Sequence, residues 1–153
     1  AVQTQPLLYK IIRSIFSICI RIFYNTIEVT NEALLAIKPN NAILLCPNHG
    51  NSLTDAATVI TATNRFVRLT AKDKLWHHPF WKYFVKYVGT VPIQRRDDHG
   101  SKADNSIAKA KLFEALESCS CVCLFPEGIS RYQSGIAPLK RGVGSIAIET
   151  LKR

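Results

Sequence analysis

The sequence predicts an α/β domain with a largely parallel central sheet flanked by helices, and two observations carry that prediction. Short apolar runs of strand length, at 42–45, 66–70 and 121–125, alternate with stretches of helical character at 56–62 and 105–116. Apolar runs also pass without a linker into polar residues. The first leads into Cys46-Pro47-Asn48-His49-Gly50-Asn51-Ser52-Leu53-Thr54-Asp55, another ends on Arg95, and a third enters Pro126-Glu127-Gly128-Ile129-Ser130-Arg131. Open α/β sheets place their chemistry at the carboxyl ends of strands, so a site is expected where these clusters meet.

Composition narrows the class. At 153 residues, 47% hydrophobic and 20% charged, the chain has the length for one domain with a sizeable core and the apolar content to fold. Twenty Lys and Arg against 11 Asp and Glu give +9, which calls for an anionic partner: nucleic acid, an anionic membrane face or a phosphorylated small molecule. Between residues 65 and 102, nine Lys and Arg face three Asp, so +6 of that charge is central. The five cysteines, Cys19, Cys46, Cys119, Cys121 and Cys123, contain no C-x-x-C pair and offer neither a zinc site nor a dithiol redox motif. Cys119, Cys121 and Cys123 alternate within one strand-like run and are expected on one side of a sheet. They read as small buried hydrophobes on the reducing side of a membrane. The chain starts at Ala1, lacks methionine and stops at Arg153 within a helical pattern, so it is expected to be a fragment with its C-terminal part missing.

From the N-terminus, residues 7–24 are strongly apolar, with Lys10, Arg13, Ser14, Ser17 and Arg21 at spacings of three and four. The cations argue against a membrane span and break any secretory signal. Two readings stand: an amphipathic helix in a membrane interface with its cations at headgroups, or a helix packed on the domain. The expected division is residues 1–25 as the membrane-associating helix and 26–153 as the main domain. Residues 26–30 alternate like a short strand, a turn follows at 38–41, and the strand into His49 comes next. After Asp55 a buried helix runs to residue 62, with Thr54 or Asp55 near its start.

A strand over 66–70 precedes an aromatic and basic helix, 74–87, broken at its start by Pro79. Trp76, Phe80, Trp81, Tyr83 and Phe84 interleaved with lysines suit a membrane surface or a phosphate ligand first, and a solvated face second. Nucleic acid ranks last, because no binding motif accompanies the charge. Residues 89–95 read as a strand from Gly89 to Arg95, 97–101 as a loop, 105–116 as a helix, 121–125 as a buried strand and 142–151 as a final helix.

Three strands thus end in polar groups: His49 and Asp55, then Arg95, then Glu127 and Arg131. Imidazole can take a proton from a hydroxyl, a carboxylate can orient the ring, and arginine can clamp a phosphate through parallel hydrogen bonds. Together they suit a phosphorylated alcohol.

Asn48-His49 with Asp55, Gly89-Thr90-Val91-Pro92-Ile93-Gln94-Arg95, Phe125-Pro126-Glu127-Gly128-Ile129-Ser130-Arg131 and Pro138-Leu139-Lys140-Arg141-Gly142 resemble, in order, the blocks of the glycerolipid acyltransferases. The resemblance runs from about residue 42 to the end, and the Phe-Pro-Glu-Gly block is its most specific part. It implies an O-acyltransferase that moves a fatty acyl group from acyl-CoA or acyl-carrier protein to glycerol 3-phosphate, dihydroxyacetone phosphate or a lysophospholipid. His49 would be the general base and Asp55 the carboxylate that orients it. Asn48, Arg95, Phe125, Pro126, Glu127, Gly128, Ser130 and Arg131 would bind substrate, with Arg95 at the acceptor's phosphate. No metal and no cofactor beyond the acyl donor are implied, and membrane phospholipids, not nucleic acid, are the expected surroundings. The implied location is a membrane with the site on its reducing side, the cytoplasmic face of the endoplasmic reticulum in a eukaryote. Five residues, Gly50 to Thr54, separate His49 from Asp55 where the family usually has four, so Thr54 takes the customary aspartate position. That longer spacing resembles the fungal-type glycerol-3-phosphate and dihydroxyacetone-phosphate acyltransferases. Ile129 stands where threonine or glycine is common. A remodelling acyltransferase for lysophospholipids and an inactive lipid-binding homologue are the alternatives.

Overall fold

A computed structural model describes residues 4–30, 38, 40–132 and 135–153. Among them, four strands form one parallel sheet in the order β1-β4-β2-β3: β1 (Ile43–Leu45), β2 (Val67–Lys72), β3 (Val91–Ile93) and β4 (Cys121–Cys123). Six α-helices flank it: α1 (Leu7–Phe23), α2 (Ser52–Ala62), α3 (Trp81–Tyr87), α4 (Arg96–His99), α5 (Ser106–Glu117) and α6 (Gly142–Leu151). Asp73–His77 and Gly100–Lys102 are 3-10 turns. The predicted α/β class is therefore the observed one. Because every pairing is parallel, all four strands end at the same edge of the sheet.

Side chains alternate between sheet faces with period two, and this sorts the core into two layers. Cys121 and Cys123 share one face with Ile43, Leu45, Val67 and Leu69, covered by Tyr9, Phe16, Ile60 and Phe84 from α1, α2 and α3. Val122, Leu124, Leu44 and Val91 face the other side, covered by Leu112, Phe113 and Leu116 of α5 and Ile146 of α6. The order puts β1 and β3 at the edges, and Pro92 in β3 fits there because an edge strand tolerates a residue without an N–H.

Helix α1 packs on the domain with one face and leaves the other exposed. One face enters the core: Tyr9 is fully buried and its hydroxyl accepts the Val67 N–H at 3.1 Å, at the start of β2. Arg13 is not at a headgroup position. It donates to the Ile60 and Thr61 carbonyls at 3.2 and 3.4 Å and to Asn64 Oδ1 at 2.8 Å, which caps the negative end of α2. The opposite face, Leu7, Ile11, Ile15, Ile18 and Ile22, is exposed, with Lys10 and Arg21 also at the surface. No helix among the described residues is long and apolar enough to cross a membrane.

Several local expectations are corrected. Residues 26–30 form no strand and their side chains are exposed. Their alternation of apolar and polar residues is a side-chain pattern, whereas a strand needs a paired neighbour, and the sheet is made by β1 to β4 alone among the described residues. Cys119 does not belong to β4. It stands at φ +56 just past α5, with Cys119 N–H on the Leu116 carbonyl and Ser120 N–H on Ala115, a left-handed helix cap. Gly89 likewise ends α3 at φ +66 and does not open a strand, with its N–H on Lys86 and that of Thr90 on Val85. The expected loop at 97–101 is α4 and a 3-10 turn, because the Arg95 carbonyl accepts both the Asp98 and His99 N–H groups. The 74–87 helix divides into the Asp73–His77 turn and α3, the break falling around Pro79. Of the expected 38–41 turn, Pro39 lies outside the described residues, while Asn41 N–H meets the Lys38 carbonyl at 3.4 Å. All five cysteines are unpaired, and Cys19 and Cys46 are exposed, not buried.

Candidate active site

His49 lies in the loop that leaves β1, and four restraints fix it. Its Nδ1 is 2.9 Å from Asp55 Oδ2. Its main-chain N–H donates to Glu127 Oε1 at 2.9 Å, its carbonyl accepts Arg131 N–H at 3.2 Å, and its ring stacks on Phe125 with centroids 4.0 Å apart. A carboxylate only accepts, so the pairing places the proton on Nδ1 and leaves Nε2 as the ring's basic nitrogen.

Asp55 can do this because of where α2 starts. It stands in the first turn, where the helix dipole favours a negative charge, and its Oδ2 also accepts the Asn51 N–H at 2.7 Å. Of the two residues competing to support His49, Asp55 is the one in reach. Thr54 spends its N–H on the Asn51 carbonyl, and its own carbonyl accepts the Thr58 hydroxyl. Between His49 and Asp55, Ser52 stands at a φ of +35, unusual outside glycine. Ser130 steadies that turn, because its Oγ accepts the Ser52 N–H at 2.8 Å.

The Phe125–Arg131 segment therefore packs under the histidine. Glu127 is 6% exposed, and its known contact is the His49 main chain, which makes it a brace for the β1 exit. Gly128 closes a turn with its N–H on the Phe125 carbonyl. Its φ is +72, which favours glycine, while a Cβ there would stand 2.8 to 2.9 Å from the flexible end of Lys140, which can move aside. Lys140 in turn donates its N–H to Pro126 at 2.8 Å and brings Nζ to 3.9 Å from Asp97. Pro126 is buried, whereas Asn48 and the Arg131 side chain are exposed beside the histidine.

Arg95 is not in this cluster. It follows the opposite edge strand, three strand spacings or roughly 14 Å from β1. Its backbone is set by Gln94 and Asn105, which exchange Gln94 N–H to Oδ1 and Nδ2 to the Gln94 carbonyl, both at 2.8 Å. Its Nε and Nη2 each lie 3.1 Å from Asp98 Oδ2, and Asp98 Oδ1 meets Lys74 Nζ at 2.6 Å. The Lys74 ammonium first, and the Arg95 guanidinium second, hold the Asp98 carboxyl below the usual carboxylate range. Beside them, His99 Nε2 is 2.8 Å from Asp73 Oδ2. Lys74 falls in the basic stretch expected to meet a membrane surface or a phosphate ligand, and Lys140 in a recognisable block. The pairing of Lys74 with Asp98 carries no local signal, since only the adjacency of β2 and β3 brings them together.

Chemically, the β1 and β4 exits hold a hydrogen-bonded imidazole at a partly exposed position, and the β2 and β3 exits hold two cations around one carboxylate. Among the described residues, no three His, Cys, Asp or Glu side chains gather as a metal site. No curated protein and no solved structure matches the chain. The family model described as Acyltransferase, however, matches residues 26–152, from just past α1 through the whole sheet and α6. Since that match takes in every strand and every residue around His49 and Arg95, the chain belongs to the acyltransferase family.

Proposed function

We propose that this acyltransferase is a glycerolipid O-acyltransferase acting on a phosphorylated glycerol acceptor, with His49 as its general base. The observation that carries the reading is the His49 Nδ1 to Asp55 Oδ2 pair, which orients the ring with Nε2 as its proton acceptor. Nε2 takes the proton of the acceptor hydroxyl as its oxygen attacks the thioester carbonyl of acyl-CoA or acyl-carrier protein. The tetrahedral adduct expels the thiolate, which takes the proton from the imidazolium, leaving an ester and a free thiol. Such a base contributes typically about 10²- to 10⁴-fold. Arg95 would hold the acceptor's phosphate, and the five-residue gap before Asp55 supports glycerol 3-phosphate or dihydroxyacetone phosphate as that acceptor.

Membrane contact belongs to the same reading. The exposed Leu7, Ile11, Ile15, Ile18 and Ile22 face of α1 suits the hydrocarbon boundary, with Lys10 and Arg21 at anionic headgroups. An apolar groove of about 510 Å³ runs between Leu8 and Ile12 of α1 and Pro79, Phe80, Tyr83 and Tyr87, and offers a lipid tail cover. The exposed, unpaired Cys19 and Cys46 support a site on a reducing face.

Membranes carrying the full-length protein, given labelled acyl-CoA and a panel of acceptors, test this. The expected product comes from glycerol 3-phosphate or dihydroxyacetone phosphate, and His49→Ala lowers its rate about 10²- to 10⁴-fold. Product from lysophospholipids alone would make this a remodelling enzyme. Lipid binding with no transfer to any acceptor would make it an inactive homologue.

A further inference from the structure

Lys74 and Arg95 come from different strand exits, yet they converge on one group. Arg95 places Nε and Nη2 on Asp98 Oδ2, and Lys74 places Nζ on Asp98 Oδ1. The side chains are 56% exposed for Lys74, 25% for Arg95 and 16% for Asp98, so the lysine is within reach of a solute. Two cations against one carboxylate leave a net charge of +1 in the cluster. A phosphate monoester, with a charge near −2 and three acceptor oxygens, matches the two cations better than a carboxylate does. Arginine meets phosphate with the same donor fork that it offers a carboxylate, and lysine adds a point charge.

The main chain makes this exchange compatible with the fold. Gln94 N–H donates to Asn105 Oδ1 and Asn105 Nδ2 to the Gln94 carbonyl, both at 2.8 Å. With Gln94 clasped in this way, the segment that presents Arg95 keeps an anchor when Asp98 lets go.

We propose that Lys74 is a second ligand of the acceptor's phosphate and that Asp98 is an intramolecular competitor for the same two cations, lowering the site's affinity for the phosphate monoester. This rests on the reading of Arg95 as the phosphate-binding residue. The acceptor's phosphate displaces the Asp98 carboxylate from Lys74 and Arg95. Asp98 is thus a positioning residue, and its removal acts opposite to the loss of a structural brace.

Equilibrium titration of the full-length protein tests this with two phosphate monoesters: glycerol 3-phosphate in water, and lysophosphatidic acid in neutral phosphatidylcholine vesicles. Glycerol and vesicles without the lysolipid serve as controls. Lys74→Gln should weaken binding of the monoester about tenfold, the scale of one charge-assisted contact, and Asp98→Asn should tighten it at least about threefold. Lys109→Gln, a surface cation on α5 that pairs with Glu149 and not with the cluster, should leave binding unchanged. If Lys74→Gln binds like the wild type, or Asp98→Asn binds more weakly, the inference is wrong while the phosphorylated acceptor survives. If the wild type binds neither monoester, the phosphorylated-acceptor reading itself fails, and this inference with it.

Discussion

At the β1 and β4 exits, His49 is held through its main-chain N–H and carbonyl, a ring stack and a carboxylate seated at a helix start. At the β2 and β3 exits, the Arg95 side chain is held by an ion pair that is open to solvent on its lysine side. Buried main-chain hydrogen bonds are costly to break, whereas exposed ion pairs exchange partners at little cost. One end holds an imidazole still, and the other is an ion pair that can change partners.

The rigid end should break first and most. Glu127→Ala strands the His49 N–H and should cost about 1–3 kcal/mol of stability together with turnover, while Glu127→Gln, which keeps an acceptor oxygen, should cost less. Chemical denaturation and acyl transfer on the same preparations check this. Gly128→Ala comes next, at about 1–2 kcal/mol for its left-handed backbone, plus the displacement of Lys140. Repeating it in a Lys140→Ala background should leave most of that cost, because the flexible Lys140 end yields cheaply and the backbone part remains, a near-additivity that denaturation midpoints report.

How much of this was legible in the sequence follows the same division. The strands into His49 and Glu127 show as apolar runs touching polar residues, because a buried strand and its exit loop are contiguous in the chain. Asp55 sits near enough to His49 for spacing to suggest it. The choice over Thr54 needed the side-chain geometry, which brings Asp55 Oδ2 to 2.9 Å from the ring. Arg95 was legible as a residue but not its partners, since Lys74 and Asp98 are 24 positions apart and meet only through the strand order. The alternation at 26–30 and at Cys119 misled for one reason: period two is a side-chain pattern, and pairing or a helix cap decides the backbone.

A further expected effect lies away from both ends and shows only at alkaline pH. Burial pushes the Cys121 thiol from 9.0 up to about 11, so the unfolded chain ionises first as the solution becomes alkaline. Its contribution to stability is fully present below pH 9.0 and is lost as pH climbs towards about 11. A Cys121→Ala variant, compared with the parent by denaturation across that window, should show a shallower decline. At neutral pH, a maleimide should modify Cys19 and Cys46 in the folded protein and spare Cys121 and Cys123 until it is unfolded.

The most direct test of a site with one end for chemistry and one for binding is the rate of acyl transfer against acceptor concentration for Asp55→Asn and Arg95→Gln side by side. Asp55→Asn should lower kcat at every acceptor concentration, with the acceptor KM little changed. Arg95→Gln should raise KM and recover most of its rate at saturating acceptor. Recovery of Asp55→Asn by added acceptor, or an equal loss in Arg95→Gln at saturation, would contradict the account.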